Sequence, residues 1–278
     1  MTRAYAEVIG DPIAHSKSPL IHNFWLEKLG IDAEYHACHV RPDQLADYFA
    51  NRRQDPDWRG CNVTIPHKQV AAAAVDGLLP GTLEIGAINT VIKWNDQLVG
   101  ANTDIVGITQ PLDILMTRLF GGSLLPQQNV AIIGAGGAAC AAVAAVGSRF
   151  PAWLIRILAR RPEQALTIGI VADIWPIDDT ALEGVTVLIN ASPLGMVGKD
   201  PLNLSLEAMR GSQTPKIIFD MVYAPLETPL LAKGQSEGFS TIDGLQMLVA
   251  QAAEAFELFF GVPAPRDHDD ELRVLLVK

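Results

Sequence analysis

Cysteine is scarce in this chain: there are three, Cys38, Cys61 and Cys140. An odd number at spacings that match no metal motif excludes a disulfide framework and a zinc-binding scaffold. The three read as small buried thiols in a reducing, cytoplasmic compartment. Charge is also sparse, at 19% of residues, and positive charge sparser still, with 21 Lys and Arg against 31 Asp and Glu for a net −10. That balance disfavours a nucleic-acid partner, which needs a basic face. It also means that an anionic substrate must be drawn in by local donors and not by the overall field. Residues 1–12 lack the apolar core of a signal peptide. The longest uncharged stretch, 119–148, is broken by Gly121-Gly122, Pro126, Gln127-Gln128-Asn129 and a glycine cluster, so no membrane span is expected. The six histidines form no ligand spacing, and no metal is expected.

What is present is enough apolar material for two cores. The chain has 278 residues, 49% of them hydrophobic, which fits two domains. In the first hundred residues strands alternate with helices. Strands are expected at 5–10, 33–40 and 60–65, and helices at 18–29, 42–53 and 67–75. A hairpin is expected from 88–94 and 98–101 around Asn95-Asp96-Gln97. Ser18 suits the N-cap of its helix and Pro19 the first helical position, and Gly30 ends it. A helix follows Asp104 to about residue 119, then a loop at Gly121-Gly122-Ser123. From there the rhythm is that of a parallel, doubly wound sheet. Strands are expected at 129–133, 153–158, 185–189 and 216–219, and an alanine-rich helix up to 148. The helix over 245–260 puts Leu245, Leu248, Val249, Ala252, Phe256 and Phe259 on one face. A last helix over 269–276 is expected to pack back on the first domain.

Gly134-x-Gly136-x-x-Ala139 sits between an expected strand and an expected helix, the context of a dinucleotide fingerprint. Glycines permit the tight turn and let backbone approach a pyrophosphate, and the helix start offers free N–H groups to phosphate. Gly134, Ala135, Gly136, Gly137 and Ala138 are therefore candidate cofactor contacts. The next strand ends Leu158-Ala159-Arg160-Arg161 where an NAD site usually places Asp or Glu. Guanidinium groups suit a 2′-phosphate, so NADP is favoured over NAD, with Arg160 as its reader. The alternative is a solvated arginine loop, with Glu163 nearby.

Val63-Thr64-Ile65-Pro66-His67-Lys68 supplies a lysine at a strand-to-helix turn, and Asn102-Thr103-Asp104 a carboxylate ahead of the next helix. Alone, Lys68 reads as a surface residue and Asp104 as a helix cap. Beside a dinucleotide site they read as a proton-transfer pair. Carbonyl reduction leaves an alkoxide that needs a proton, an ammonium provides it, and a carboxylate holds the ammonium in position. Ser16 and Ser18, flanking Lys17 at a helix start, offer hydroxyls and N–H groups to a substrate carboxylate.

Eight segments together resemble the shikimate dehydrogenase family. They are 10–19 (GDPIAHSKSP), 62–68 (NVTIPHK), 86–90 (GAINT), 102–104 (NTD), the glycine turn, 190–196 (NASPLGM) with 220–223 (DMVY), and 243–252 (DGLQMLVAQA). They lie in the family's order across nearly the whole chain. The resemblance implies a two-domain α/β fold. A substrate domain with a mixed sheet spans 1–103 and 244–278, and a Rossmann-type NADP domain spans 104–243. The helix from Leu245 crosses back to the first. The resemblance also implies reversible NADP-dependent reduction of 3-dehydroshikimate to shikimate in aromatic amino-acid biosynthesis, by a monomer or homodimer. Lys68 is then the acid/base and Asp104 its partner. Ser16, Ser18, Thr64, Asn89, Tyr223 and Gln251 hold the substrate, and Met221 and Gly244 lie near the nicotinamide. Two departures stand out. The basic residue the family often has three positions beyond its Asn-Arg-Thr motif is absent here, and Ile105 follows Asp104 where Gly is common. They keep open a quinate/shikimate dehydrogenase with NAD or dual cofactor use. A catalytically silent binding protein on this fold is the third reading, against which both Lys68 and Asp104 are retained.

Overall fold

Two six-stranded sheets organise the described residues of the chain. The computed structural model describes residues 3–82, 85–121, 127–160, 172–174, 180–211 and 214–278. It divides into two compact units, Met1–Thr103 with Gln251–Lys278, and Asp104–Ala250.

The first unit begins β1 (Ala4–Gly10), α1 (Ser18–Leu29), β2 (Ala33–His39), a short 3-10 turn at Pro42–Gln44 and α2 (Leu45–Gln54). It continues β3 (Trp58–Val63), α3 (Lys68–Ala74), β4 (Gly77–Leu78), β5 (Thr90–Trp94) and β6 (Gln97–Ala101). The strand order is β2-β1-β3-β5-β6-β4. β1 runs parallel to β2 and β3, whereas β5 is antiparallel to both β3 and β6. The sheet is mixed, as expected. Asn95 and Asp96 both adopt positive φ, which suits the tight turn between β5 and β6.

Ser18 is not the N-cap of α1. Lys17 occupies that place without a side-chain cap, and Ser18 is the first helical residue. The Ser16 hydroxyl instead accepts the Ser18 N–H at 3.3 Å, a local serine turn that competes with capping. Gly30 closes α1 in the left-handed conformation at φ 63°.

The second unit contains α4 (Asp104–Phe120), β7 (Asn129–Ile133), α5 (Gly137–Arg149), β8 (Leu154–Ala159), β9 (Ala172–Ile174) and β10 (Val187–Asn190). It continues β11 (Ile217–Asp220), α6 (Pro229–Ser236), β12 (Ser240–Ile242) and the start of α7 (Gly244–Phe260). The order β12-β11-β10-β7-β8-β9 is parallel throughout. Read from β9, it is the 3-2-1-4-5-6 order of the dinucleotide-binding fold, whose order reverses between β7 and β10. β10 and β11 are buried along their whole length, as strands covered on both faces must be.

The last ten residues of α7 belong to the first unit, where Ala255 and Phe259 pack on Ala6, Val8 and Tyr35. The final helix α8 (Asp269–Leu276) lies against α1. Lys17 Nζ donates to the Leu276 carbonyl, and Lys28 pairs with Glu271 at 2.7 Å. Among the described residues no helix is long and apolar enough to cross a membrane.

Candidate active site

In the first unit the candidate residues gather at the carboxyl ends of β1 and β3. Thr64 N–H donates to the Ile9 carbonyl at 3.0 Å and Asp11 N–H to the Ile65 carbonyl at 3.1 Å, so the loops carrying Ser16 and Thr64 run side by side. They pack closely, since a Cβ added at Gly10 would stand 2.6 Å from Thr64 Cγ2. Ser18 is buried and Ser16 half-buried. Just beyond, the buried ring of His67 places Nε2 2.7 Å from the Val40 carbonyl oxygen and fixes the residue before Lys68. Lys68, half-buried, opens α3. Its carbonyl accepts the Ile88 N–H at 2.9 Å.

The residue after Ile88 is Asn89, the centre of a buried polar network. Asn89 Nδ2 donates to Thr103 Oγ1 at 3.0 Å and to Gln251 Oε1 at 3.3 Å, and Asn89 Oδ1 accepts the Thr103 N–H at 2.7 Å. Thr103 Oγ1 also lies 3.3 Å from Gln251 Oε1. The network continues outward. Thr90 Oγ1 donates to Asn89 Oδ1, Asn62 Nδ2 donates to Thr90 Oγ1, and Tyr35 OH donates to Asn62 Oδ1 at 2.6 Å. These neutral side chains satisfy one another in an environment where an unmet donor costs about 1–3 kcal/mol. Thr103 is followed directly by Asp104, the buried first residue of α4. A carboxylate in a first helical turn is favoured by the macrodipole.

The structure thus joins Asn89 and Gln251, both expected, directly and with Thr103, which the sequence offers only as part of Asn102-Thr103-Asp104. Asn62 and Thr90 likewise stand in the quoted segments without a site role, and Tyr35 was missed. The available signal was polar residues at consecutive strand ends inside apolar runs.

In the second unit the glycine turn lies at the carboxyl end of β7. Gly134 takes φ +115°, which favours glycine, and a Cβ there would crowd the Ala191 carbonyl oxygen at 3.1 Å. Gly136 is the extended N-cap of α5 with no side-chain cap, and a Cβ there would point into open space. The first-turn amides of α5, Gly137 and Ala138 among them, have no intrahelical acceptor by construction. Cradle and chemistry both fit a dinucleotide pyrophosphate, at the point where the strand order reverses. Arg160 is exposed just past β8. Arg161, Glu163 and Gln164 lie outside the described residues. Among the described residues no group of three or more His, Cys, Asp or Glu could hold a metal ion.

Met221 and Tyr223 follow β11, both half-buried, and burial raises the Tyr223 hydroxyl above its ordinary range. Gly244 opens α7 directly against the backbone of Met221 and Val222. A Cβ there would stand 2.4 Å from the Met221 carbonyl oxygen.

The chain is similar to known proteins along nearly its whole length. Residues 8–91 match the model of the shikimate dehydrogenase substrate binding domain, and 244–269 that of the shikimate 5'-dehydrogenase C-terminal domain. The chain is 48% identical to the shikimate dehydrogenase (NADP(+)) of Sphingopyxis alaskensis over 98% of this chain and 97% of that protein. Among solved structures it resembles shikimate 5-dehydrogenase from Thermus thermophilus in complex with NADP(H) and shikimate. The TM-score is 0.79 at 30% identity, covering 98% of this chain and 99% of that one. It also resembles the Listeria monocytogenes enzyme in complex with shikimate and NAD, with a TM-score of 0.82 at 28% identity, covering 98% and 96%. With near-complete coverage on both sides at that level of identity, the chain belongs to the shikimate dehydrogenase family.

Proposed function

We propose that the chain catalyses the reversible NADP-dependent reduction of 3-dehydroshikimate to shikimate, as a cytoplasmic monomer or homodimer. Bound NADPH supplies the hydride. Lys68 gives a proton to the alkoxide that forms at the substrate carbonyl oxygen and takes it back in the reverse direction. Asp104 is the carboxylate that orients the lysine. Ser16, Ser18, Thr64, Asn89, Gln251 and Tyr223 bind the substrate's carboxylate and hydroxyls. The turn 134–138 at the start of α5 would hold the cofactor's phosphates. Arg160 would hold the 2′-phosphate, and Met221 and Gly244 would border the nicotinamide.

One observation supports the proton-transfer pair above the rest. Two consecutive residues hold the backbone beside both partners. Ile88 N–H binds the Lys68 carbonyl, and Asn89 Oδ1 binds the N–H of Thr103, the neighbour of Asp104. A reducing compartment accords with all three cysteines being free.

The test is a matrix of initial rates with shikimate and quinate, each with NADP and NAD. Shikimate with NADP is expected to be fastest. Quinate turnover within tenfold of shikimate turnover, or equal use of NAD, would replace this reading by the quinate/shikimate dehydrogenase with dual cofactor use.

A further inference from the structure

Asp220 ends β11 with a side chain that is fully buried. Its carboxylate is held by three neutral donors. Oδ1 accepts the Val222 N–H at 3.0 Å and Asn190 Nδ2 at 2.9 Å, and Oδ2 accepts the Thr228 hydroxyl at 2.6 Å. A buried acid served only by neutral donors is an expensive choice, because the charged form loses its hydration without gaining a cation. Packing alone would be met more cheaply by a neutral side chain.

The three donors belong to two loops at the carboxyl end of the second sheet. Asn190 ends β10, and its Oδ1 accepts both the N–H and the hydroxyl of Ser192, at 3.1 and 2.7 Å. Its Nδ2 also donates to the Leu194 carbonyl at 3.1 Å, so it shapes the loop 191–194. That loop is the one whose Ala191 carbonyl presses against Gly134, at the crevice where the strand order reverses. Val222 and Thr228 bracket the other loop, and Thr228 Oγ1 accepts the Leu231 N–H to cap α6. Gly244 closes on the same loop from the far side, against the Met221 carbonyl. In a doubly wound sheet the β7–β9 half receives one mononucleotide and the β10–β12 half the other. The second half is the one bordered by these two loops.

We infer that Asp220 is a positioning residue for the reaction, fixing the loops 191–194 and 221–228 that shape the nicotinamide half of the cofactor crevice. This rests on the dehydrogenase reading above, and its test carries an arm that does not.

In full-length protein, Asp220→Ala leaves three donors without an acceptor, whereas Asp220→Asn keeps an acceptor for Val222 and Asn190. The alanine variant is expected to lose at least 30-fold in kcat and at least tenfold in NADP affinity. Its affinity for adenosine 2′,5′-bisphosphate, which occupies only the adenosine half, should stay within twofold of wild type. The primary isotope effect with deuterated NADPH should rise as hydride transfer becomes limiting. The asparagine variant should return to within fivefold of wild type. Should the alanine variant not fold, Thr228→Val frees Oδ2 while keeping the carboxylate, and should show the same split at smaller size. NADP and bisphosphate affinities that move together, or not at all, would overturn the inference. If wild-type protein turns over no shikimate, the substrate assignment falls, and the pair of binding measurements still decides for or against Asp220.

Discussion

The side-chain oxygen of Asn89 accepts the backbone N–H of Thr103 at 2.7 Å, with both residues buried. This bond holds the last residue before Asp104, and Asn89 Nδ2 reaches Gln251 in the same network. Asn89→Ala removes the acceptor and strands a buried donor, a loss of about 1–3 kcal/mol. Unfolding in urea should show that loss. At temperatures where the variant stays folded, kcat/KM for shikimate should fall about 10- to 100-fold, since each 1.36 kcal/mol is a factor of ten in rate. A stable variant with unchanged kcat/KM would remove Asn89 from the site.

Lys68→Ala tests the proton transfer itself. General acid–base catalysis contributes about 10²–10⁴-fold, so kcat should fall by that factor. NADP affinity, followed by fluorescence titration, should stay near wild type, because the phosphate cradle at 134–138 is built in the other unit. Lys68→Arg should not rescue the rate, since guanidinium keeps its proton at all working pH. Equal turnover in the wild type and the alanine variant would refute the role.

Much of the fold was legible because periodicity is a local signal. β7 and α8 fall where their apolar patterns predict, and the hairpin of β5 and β6 shows in its Asn95-Asp96 turn. The elements that escaped are short. β4 has two residues, and β9 and β12 have three each, too few for alternation to register. α6 also escaped, although Thr228-Pro229 is a readable start, with the Thr228 side chain capping and proline in the first turn. The site divides in the same way. The glycine turn is contiguous and was visible. The Asn89–Gln251 bond joins residues 162 apart in sequence, and no spacing rule reaches that far. The expected capping role of Ser18 failed because Ser16, two residues earlier, accepts its N–H and leaves the cap position to Lys17.

Arg160 lies exposed beyond β8, where a reader of the ribose 2′ position belongs. A charge-assisted hydrogen bond to phosphate contributes about 1.5–3 kcal/mol. Arg160→Ala should therefore raise the KM for NADP at least tenfold and change that for NAD little. Equal losses for both cofactors would show that Arg160 does not discriminate at the 2′-phosphate.

His22 supplies a prediction about acid stability. Its ring is fully buried, stacks on Tyr35 at 4.0 Å with 6° between planes, and lies near Trp25 and Phe256. Among the described residues neither ring nitrogen has a hydrogen-bond partner. Burial lowers its pKa from 6.5 to about 3, so the folded chain keeps the imidazole neutral where the unfolded chain binds a proton. The stability that His22 permits is fully present above pH 6.5. It is lost as the pH falls, by about 1.4 kcal/mol for each unit down towards the folded value. His22→Phe keeps an aromatic ring of similar shape for the stack and removes the titration. Urea unfolding at pH 7.5, 6, 5 and 4.5 should then give a shallower decline for the variant, whose advantage over wild type grows towards the acid end. Parallel curves would mean that His22 does not set the acid sensitivity of the first unit.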